Sequence, residues 1–284
     1  MACKKFYFLF LSGVWLVALL TTGQAQSSRA ASAASSRARG DQYLRQGDWA
    51  RAVTDYSLAL AFNPQDAESY NNRGMARFRQ GELERAITDY NRALLLQPHL
   101  AAAAYNRGLA YKATGDVESA RADFDLALQL QPQLIEAWNN RGNLRRGQGD
   151  LDGARQDYEQ ALKLNPKLAE GYNNRAVVQL AKRNADGALQ DCEQALKLNP
   201  GYAAAYHNRG LAQTMLGASA AALRDFSQAL TLDPLLAEAW LQRGLLRWQL
   251  TEREAAQADF AQCLKLKPEL QVTLELHLRA LRTE

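Results

Sequence analysis

Small, aromatic and proline residues recur along this chain at a fixed spacing of 34 residues. With Ala33 as position 1, position 8 is glycine at Gly40, Gly74, Gly108, Gly142, Gly210 and Gly244, with Ala176 as the exception. Position 20 is alanine in every copy: Ala52, Ala86, Ala120, Ala154, Ala188, Ala222 and Ala256. Position 24 is aromatic at Tyr56, Tyr90, Phe124, Tyr158, Phe226 and Phe260, and Cys192 takes its place once. Position 27 is Ala59, Ala93, Ala127, Ala161, Ala195 and Ala229, then Cys263. Position 32 is Pro64, Pro98, Pro132, Pro166, Pro200, Pro234 and Pro268, which are all the prolines in the chain. Proline lacks the N–H that a helix needs and its ring clashes with the preceding turn, so these residues mark seven helix stops. A constant period of this length is the signature of stacked supersecondary units.

The spacing predicts two antiparallel helices per copy. Small residues at positions 8 and 20 let the helix backbones approach closely, and the aromatic at position 24 fills the space between layers. Glycine at position 15 (Gly47, Gly81, Gly115, Gly149 and Gly217) supplies the turn between the helices. Position 15 is Arg183 in the fifth copy, where neighbouring Asn184 is expected to take the left-handed conformation, and Thr251 in the seventh. Beyond the last proline, Val272, Leu274, Leu276 and Leu278 alternate as a strand would. Leu270, Leu274, Leu278 and Leu281 also share one helical face, and a lone strand would find no sheet to join. Residues 269–284 are therefore expected to form a helix capping the apolar end of the array.

The N-terminus follows a different logic. Lys4 and Lys5 precede an apolar run from Phe6 to Leu20, followed by the small residues Gly23 and Ala25. Residues 1–25 have the layout of a secretory signal peptide cleaved after Ala25; the alternative is an uncleaved membrane anchor, for which the run is short. Cys3 lies before the apolar run, unlike a lipoprotein cleavage site. Residues 26–32, rich in Ser and Ala, are expected to be a linker. Export implies a compartment that permits disulfides. Cys192 and Cys263 lie about two repeats apart, however, too far for a bridge in a stacked array, and are read as small buried hydrophobes.

Composition adds little beyond a folded chain. Apolar residues make up 47%, charged residues 23%, and the formal net charge is +4 with both signs interleaved. No basic block suggests nucleic-acid binding.

The glycine, alanine, aromatic and proline set resembles the tetratricopeptide repeat family over residues 33–268. The first copy is atypical, with Ser36 where others have Tyr70, Trp138, Tyr172, Tyr206 or Trp240, and the third shifts its aromatic to Tyr105. The resemblance implies an all-α, right-handed α-solenoid superhelix of seven helix hairpins, with position 6 on the first helix facing a concave groove. Position 6 is Asn72, Asn106, Asn140, Asn174 and Asn208, flanked by Ala38 and Gln242. An amide both donates and accepts, so such a ladder can bind the backbone of an extended peptide or can fix repeat stacking.

Position 7 is arginine and position 23 aspartate in all seven copies: Arg39, Arg73, Arg107, Arg141, Arg175, Arg209 and Arg243 with Asp55, Asp89, Asp123, Asp157, Asp191, Asp225 and Asp259. These positions lie roughly opposite each other in a hairpin turning near position 15. Structural ion pairs, within a repeat or to its neighbour, are expected rather than an arginine row gripping an acidic ligand.

Little points to catalysis. His99, His207 and His277 lack metal-ligand spacing, and His207 is expected to be an ordinary surface residue. Gly147, Gly149 and Gly153 fall at a helix turn, not after a strand, so they are no dinucleotide loop. Some family members clamp a carboxylate tail with basic residues, but Glu68, Glu136, Glu170 and Glu238 at position 2 would repel one. The expectation is a non-enzymatic, cofactor-free exported scaffold that binds a protein or peptide partner. The alternative is a structural subunit of an envelope or membrane-associated assembly.

Overall fold

The computed structural model describes residues 26–283, with side chains as far as Arg279. The expected signal segment, residues 1–25, and the Leu281 side chain lie outside the described residues. Every regular element among the described residues is helical, and none is long and apolar enough to cross a membrane.

The chain forms two units, one ending at Pro132 and the other beginning at Gln133. The first contains α1 (26–46), α2 (Trp49–Phe62), α3 (Ala67–Arg79), α4 (Leu83–Leu96), α5 (Ala101–Thr114) and α6 (Val117–Leu130). The second contains α7 (Ile135–Gly147), α8 (Leu151–Leu164), α9 (Ala169–Ala181), α10 (Ala185–Leu198), α11 (Ala203–Met215), α12 (Ser219–Leu232), α13 (Ala237–Gln249) and α14 (Arg253–Leu266). It ends with a short 3-10 turn, Pro268–Leu270, and α15 (Gln271–Thr283). Within each unit, consecutive helices pair into hairpins and each hairpin packs on the next. Residues 26–32 are helical and continue into α1, not an extended tether. The segment contains no glycine or proline, and its Ala, Arg and Gln favour helix.

The punctuation works as the period suggests. Each second helix ends at position 30, and the next N–H bonds back to the position 27 carbonyl, as Asn63 does to Ala59 at 2.8 Å. Proline follows at once, so the helix cannot resume. Position 15 adopts positive φ throughout, at +74° to +85° for the five glycines. In the fifth hairpin Arg183 itself takes φ +58°, whereas Asn184 sits at −90° and caps α10, accepting from the Gly187 N–H. The expected assignment to Asn184 is therefore off by one. Its side chain already serves the N-cap, so the turn falls on the arginine. Thr251 is likewise held at +65°, a costly conformation for a β-branched residue.

Packing explains the glycines at position 8. A Cβ built on Gly142 would lie 2.7 Å from Cε1 of Tyr158, and on Gly210 2.6 Å from Cε1 of Phe226, closer than atoms pack. The alanines at position 20 are fully buried beside these rings. The fifth hairpin solves the same problem differently: Ala176 takes the glycine's place, and the aromatic shrinks to Cys192, in one cluster with Ala188 and Ala212. At the C-terminus Leu274 is buried against Leu241, Leu245 and Phe260, with Leu270 and Leu278 beside it, so α15 covers the end of the last hairpin.

Candidate interaction face

Each position 7 arginine meets the aspartate of its own hairpin. Arg73 donates from Nη2 to Asp89 Oδ1 at 2.7 Å and from Nε to Oδ2 at 3.0 Å. The same two-pronged geometry joins Arg107 to Asp123, Arg141 to Asp157, Arg175 to Asp191, Arg209 to Asp225 and Arg243 to Asp259. Arg39 reaches a single oxygen of Asp55. All seven aspartates are buried. The third nitrogen of the fork reaches the preceding hairpin at position 25: Arg73 Nη1 to Ser57, Arg107 Nη1 to Asn91, and Arg243 Nη1 to Ser227. The ion pair is thus internal to the repeat, and the same guanidinium ties neighbouring repeats together.

Two further contacts lie beyond the pairing of positions 7 and 23. A second arginine at position 11 joins the same carboxylate in three hairpins, through Arg77 to Asp89, Arg145 to Asp157 and Arg247 to Asp259. The position 4 aromatics stack on the position 7 guanidinium three residues on, as Trp138 does on Arg141 with 4.7 Å between cation and ring centroid. Both relations follow helical spacing and were visible as recurring residues.

The asparagines divide between roles. Asn106 donates its amide to Asn71 Oδ1 at 3.0 Å, Asn174 to Asn139 at 3.0 Å and Asn208 to Asn173 at 2.8 Å, each reaching from position 6 to position 5 of the preceding hairpin. Asn72 donates to Asp41, and Asn140 donates to the Glu136 carbonyl of its own helix. The position 5 acceptors were legible as the doublets Asn71–Asn72, Asn139–Asn140 and Asn173–Asn174. Asn208 is buried, whereas Asn106 and Asn174 stay half-exposed. Along the same helices, Glu68, Glu136 and Glu170 are exposed. Glu68 pairs with Arg37, Glu170 accepts from Asn139, and Glu238 pairs with Lys267.

His207 is not an ordinary surface residue. Its ring lies 5.8 Å from that of Phe226, and Nδ1 is sealed from solvent with no partner. Burial pushes its pKa down to about 4, against a smaller upward pull from Glu238. A histidine depressed in the folded state stays neutral there while the unfolded chain takes up a proton, so stability falls as pH drops from about 6.5 toward 4. The loss approaches about 3 kcal/mol. Urea unfolding of wild type and His207→Leu at pH 7 and pH 4.5 should show a steeper acid loss for wild type; equal slopes would refute the buried neutral imidazole.

Cys192 and Cys263 are unbonded and buried, with the Cys192 thiol pushed up to about 12 by desolvation. Among the described residues, no group of His, Cys, Asp and Glu is placed to hold a metal ion.

Comparison with known proteins places this geometry. Family models described as tetratricopeptide repeat match residues 101–134, 135–168, 169–202 and 237–270, and one described as TPR repeat matches 40–81 and 74–115. A tetratricopeptide repeat protein from Parabacteroides merdae superposes with a TM-score of 0.66 at 24% identity, covering 87% of this chain and 99% of its own. YrrB, described as a TPR protein with an unusual peptide-binding site, gives 0.57 at 24% identity over 65% of this chain and 95% of its own. The Cut9–Hcn1 hetero-tetramer of the APC/C gives 0.69 at 17% identity over 85% of this chain and 48% of that one. A search of curated proteins returns no match.

Proposed function

The chain belongs to the tetratricopeptide repeat family, whose fold is a scaffold for protein–protein interaction, and from that premise we propose that it is an exported adaptor holding an extended segment of a partner protein along its first helices. One observation carries this reading. Asn106 in the first unit and Asn174 in the second each spend one amide hydrogen on a neighbour. Both stay half-exposed, with no other partner among the described residues. An amide with a hydrogen and an oxygen to spare can pair with a peptide's backbone whatever its side chains are. The exposed Glu136 and Glu170 favour a neutral or basic segment over an acidic one. YrrB, of the same fold, is described as having a peptide-binding site.

Two substitutions separate ligand contact from stacking. Asn139→Ala and Asn174→Ala break the same hydrogen bond; the first also frees the Glu170 carboxylate, which stays on the face, and only the second removes the exposed amide. Capture of co-purifying partners should weaken roughly 2–10-fold with Asn174→Ala, the worth of one hydrogen bond, and change little with Asn139→Ala. Equal losses would assign the ladder to stacking alone. Export rests on the N-terminal pattern, and the intact mass of the purified protein reports whether residues 1–25 are removed.

A further inference from the structure

The turn of the sixth hairpin is unlike the other six. Position 16, the first residue after the position 15 turn, is Asp48, Glu82, Asp116, Asp150, Asn184 or Glu252 elsewhere and Ala218 here. Ala218 gives α12 no side-chain cap. No residue from Gly210 to Leu223 is charged. Position 14 is Gln46, Gln80, Thr114, Gln148 and Lys182 in the first five hairpins, then Leu216 and Leu250. Met215, Leu216 and Leu250 are 45%, 44% and 41% exposed. A turn that exposes Met215 and Leu216 with no charged residue from Gly210 to Leu223 makes an apolar patch that water does not favour.

The flanking turns carry opposite charge. Hairpins five, six and seven pack in order within the second unit, α9 against α11 and α11 against α13. On one side lie Lys182, Arg183 and Asp186, with one positive charge in excess; on the other lie Glu252, Arg253 and Glu254, with one negative charge in excess. Lys182 is tied to Asp152, and Arg253 sits 3.8 Å over the Trp248 ring. Among the described residues, Arg183 and Glu254 enter no ion pair. A shallow cleft beside Glu254 is lined by Thr251, Glu252, Arg253 and Ala255.

We propose that this edge is where a second copy of the chain docks, about a two-fold axis at the sixth turn. In an isologous contact the axis reverses the row of turns, so the uncharged turn meets itself and the fifth turn meets the seventh. Met215 and Leu216 pack against their counterparts, and Arg183 of each copy enters the acidic cleft of the other. An uncharged centre with a complementary charged rim is the anatomy of a homodimer interface.

Sedimentation velocity of the purified chain over a concentration series tests this. Wild type should show a concentration-dependent dimer. Leu216→Glu, at an exposed site, should leave a folded monomer with an unchanged melting point. Arg183→Glu should raise the dimer Kd by about tenfold or more, and adding Glu254→Arg should restore it. A monomer at every concentration, a dimer that survives Leu216→Glu, or a charge swap that restores nothing would each overturn the proposal.

Discussion

Asp89→Ala should lower the stability of the chain by about 3–5 kcal/mol, the cost of stranding buried charge. The Asp89 side chain is 3% exposed and accepts from both Arg73 and Arg77, which are 16% and 19% exposed. Removing the carboxylate leaves two guanidiniums facing each other with no anion, in a place where water reaches them poorly. The same substitution elsewhere should cost less, in an order the structure fixes. Asp225→Ala frees only Arg209, because no second arginine joins that carboxylate. Asp55→Ala should cost least, since Arg39 is 49% exposed and water replaces the lost partner. Urea midpoints should therefore fall in the order Asp89, Asp225, Asp55, with urea preferred to guanidinium, which would screen the pairs. Equal losses at all three would mean that burial does not set the worth of the pair.

Rebuilding the fifth hairpin to match its neighbours should reveal strong coupling between positions 8 and 24. Cys192→Tyr alone forces a ring against the Ala176 methyl. In the other six hairpins a Cβ at that place would lie 2.6 to 2.9 Å from the ring. Overpacking of this kind costs about 1–3 kcal/mol. Ala176→Gly alone costs about 1 kcal/mol in helix propensity and leaves a small void. The double variant restores the glycine–aromatic pair and should be more stable than the sum of the two losses by more than about 1 kcal/mol. Additive losses in a thermal or urea double-mutant cycle would show that the fifth hairpin has diverged in more than these two residues.

Much of the fold was legible because its information is local and repeated. The prolines at position 32, the glycines at position 15 and the small residues at positions 8, 20 and 27 act within a turn or across a single hairpin. Their spacing therefore predicted helices, turns and buried faces. The C-terminal helix was readable for the same reason, since Leu270, Leu274 and Leu278 share one face whatever surrounds them. Residues 26–32 look like a linker by composition, yet a Ser- and Ala-rich segment without glycine or proline extends α1. At Arg183 and Asn184 two neighbouring residues compete for one left-handed turn, and the N-cap bond from the Gly187 N–H to Asn184 decides between them.

The candidate face was less legible. That every position 7 arginine has an aspartate partner followed from the sequence, because both residues recur without exception. The destination of each remaining nitrogen did not follow, because position 25 of the preceding hairpin comes close only when hairpins stack. The same holds for the asparagines. One sequence position yields a half-exposed amide bonded to the preceding hairpin at Asn174, a bond to its own helix at Asn140 and a buried amide at Asn208. The sequence alone determined a helical repeat scaffold with a paired charge in every unit, since periodicity and pairwise chemistry are properties of the chain. Only the tertiary structure decided which amides remain open, which carboxylates hold two arginines and that the Nδ1 atom of His207 is sealed. Those outcomes depend on how far one hairpin sits from the next, a distance that no single repeat encodes.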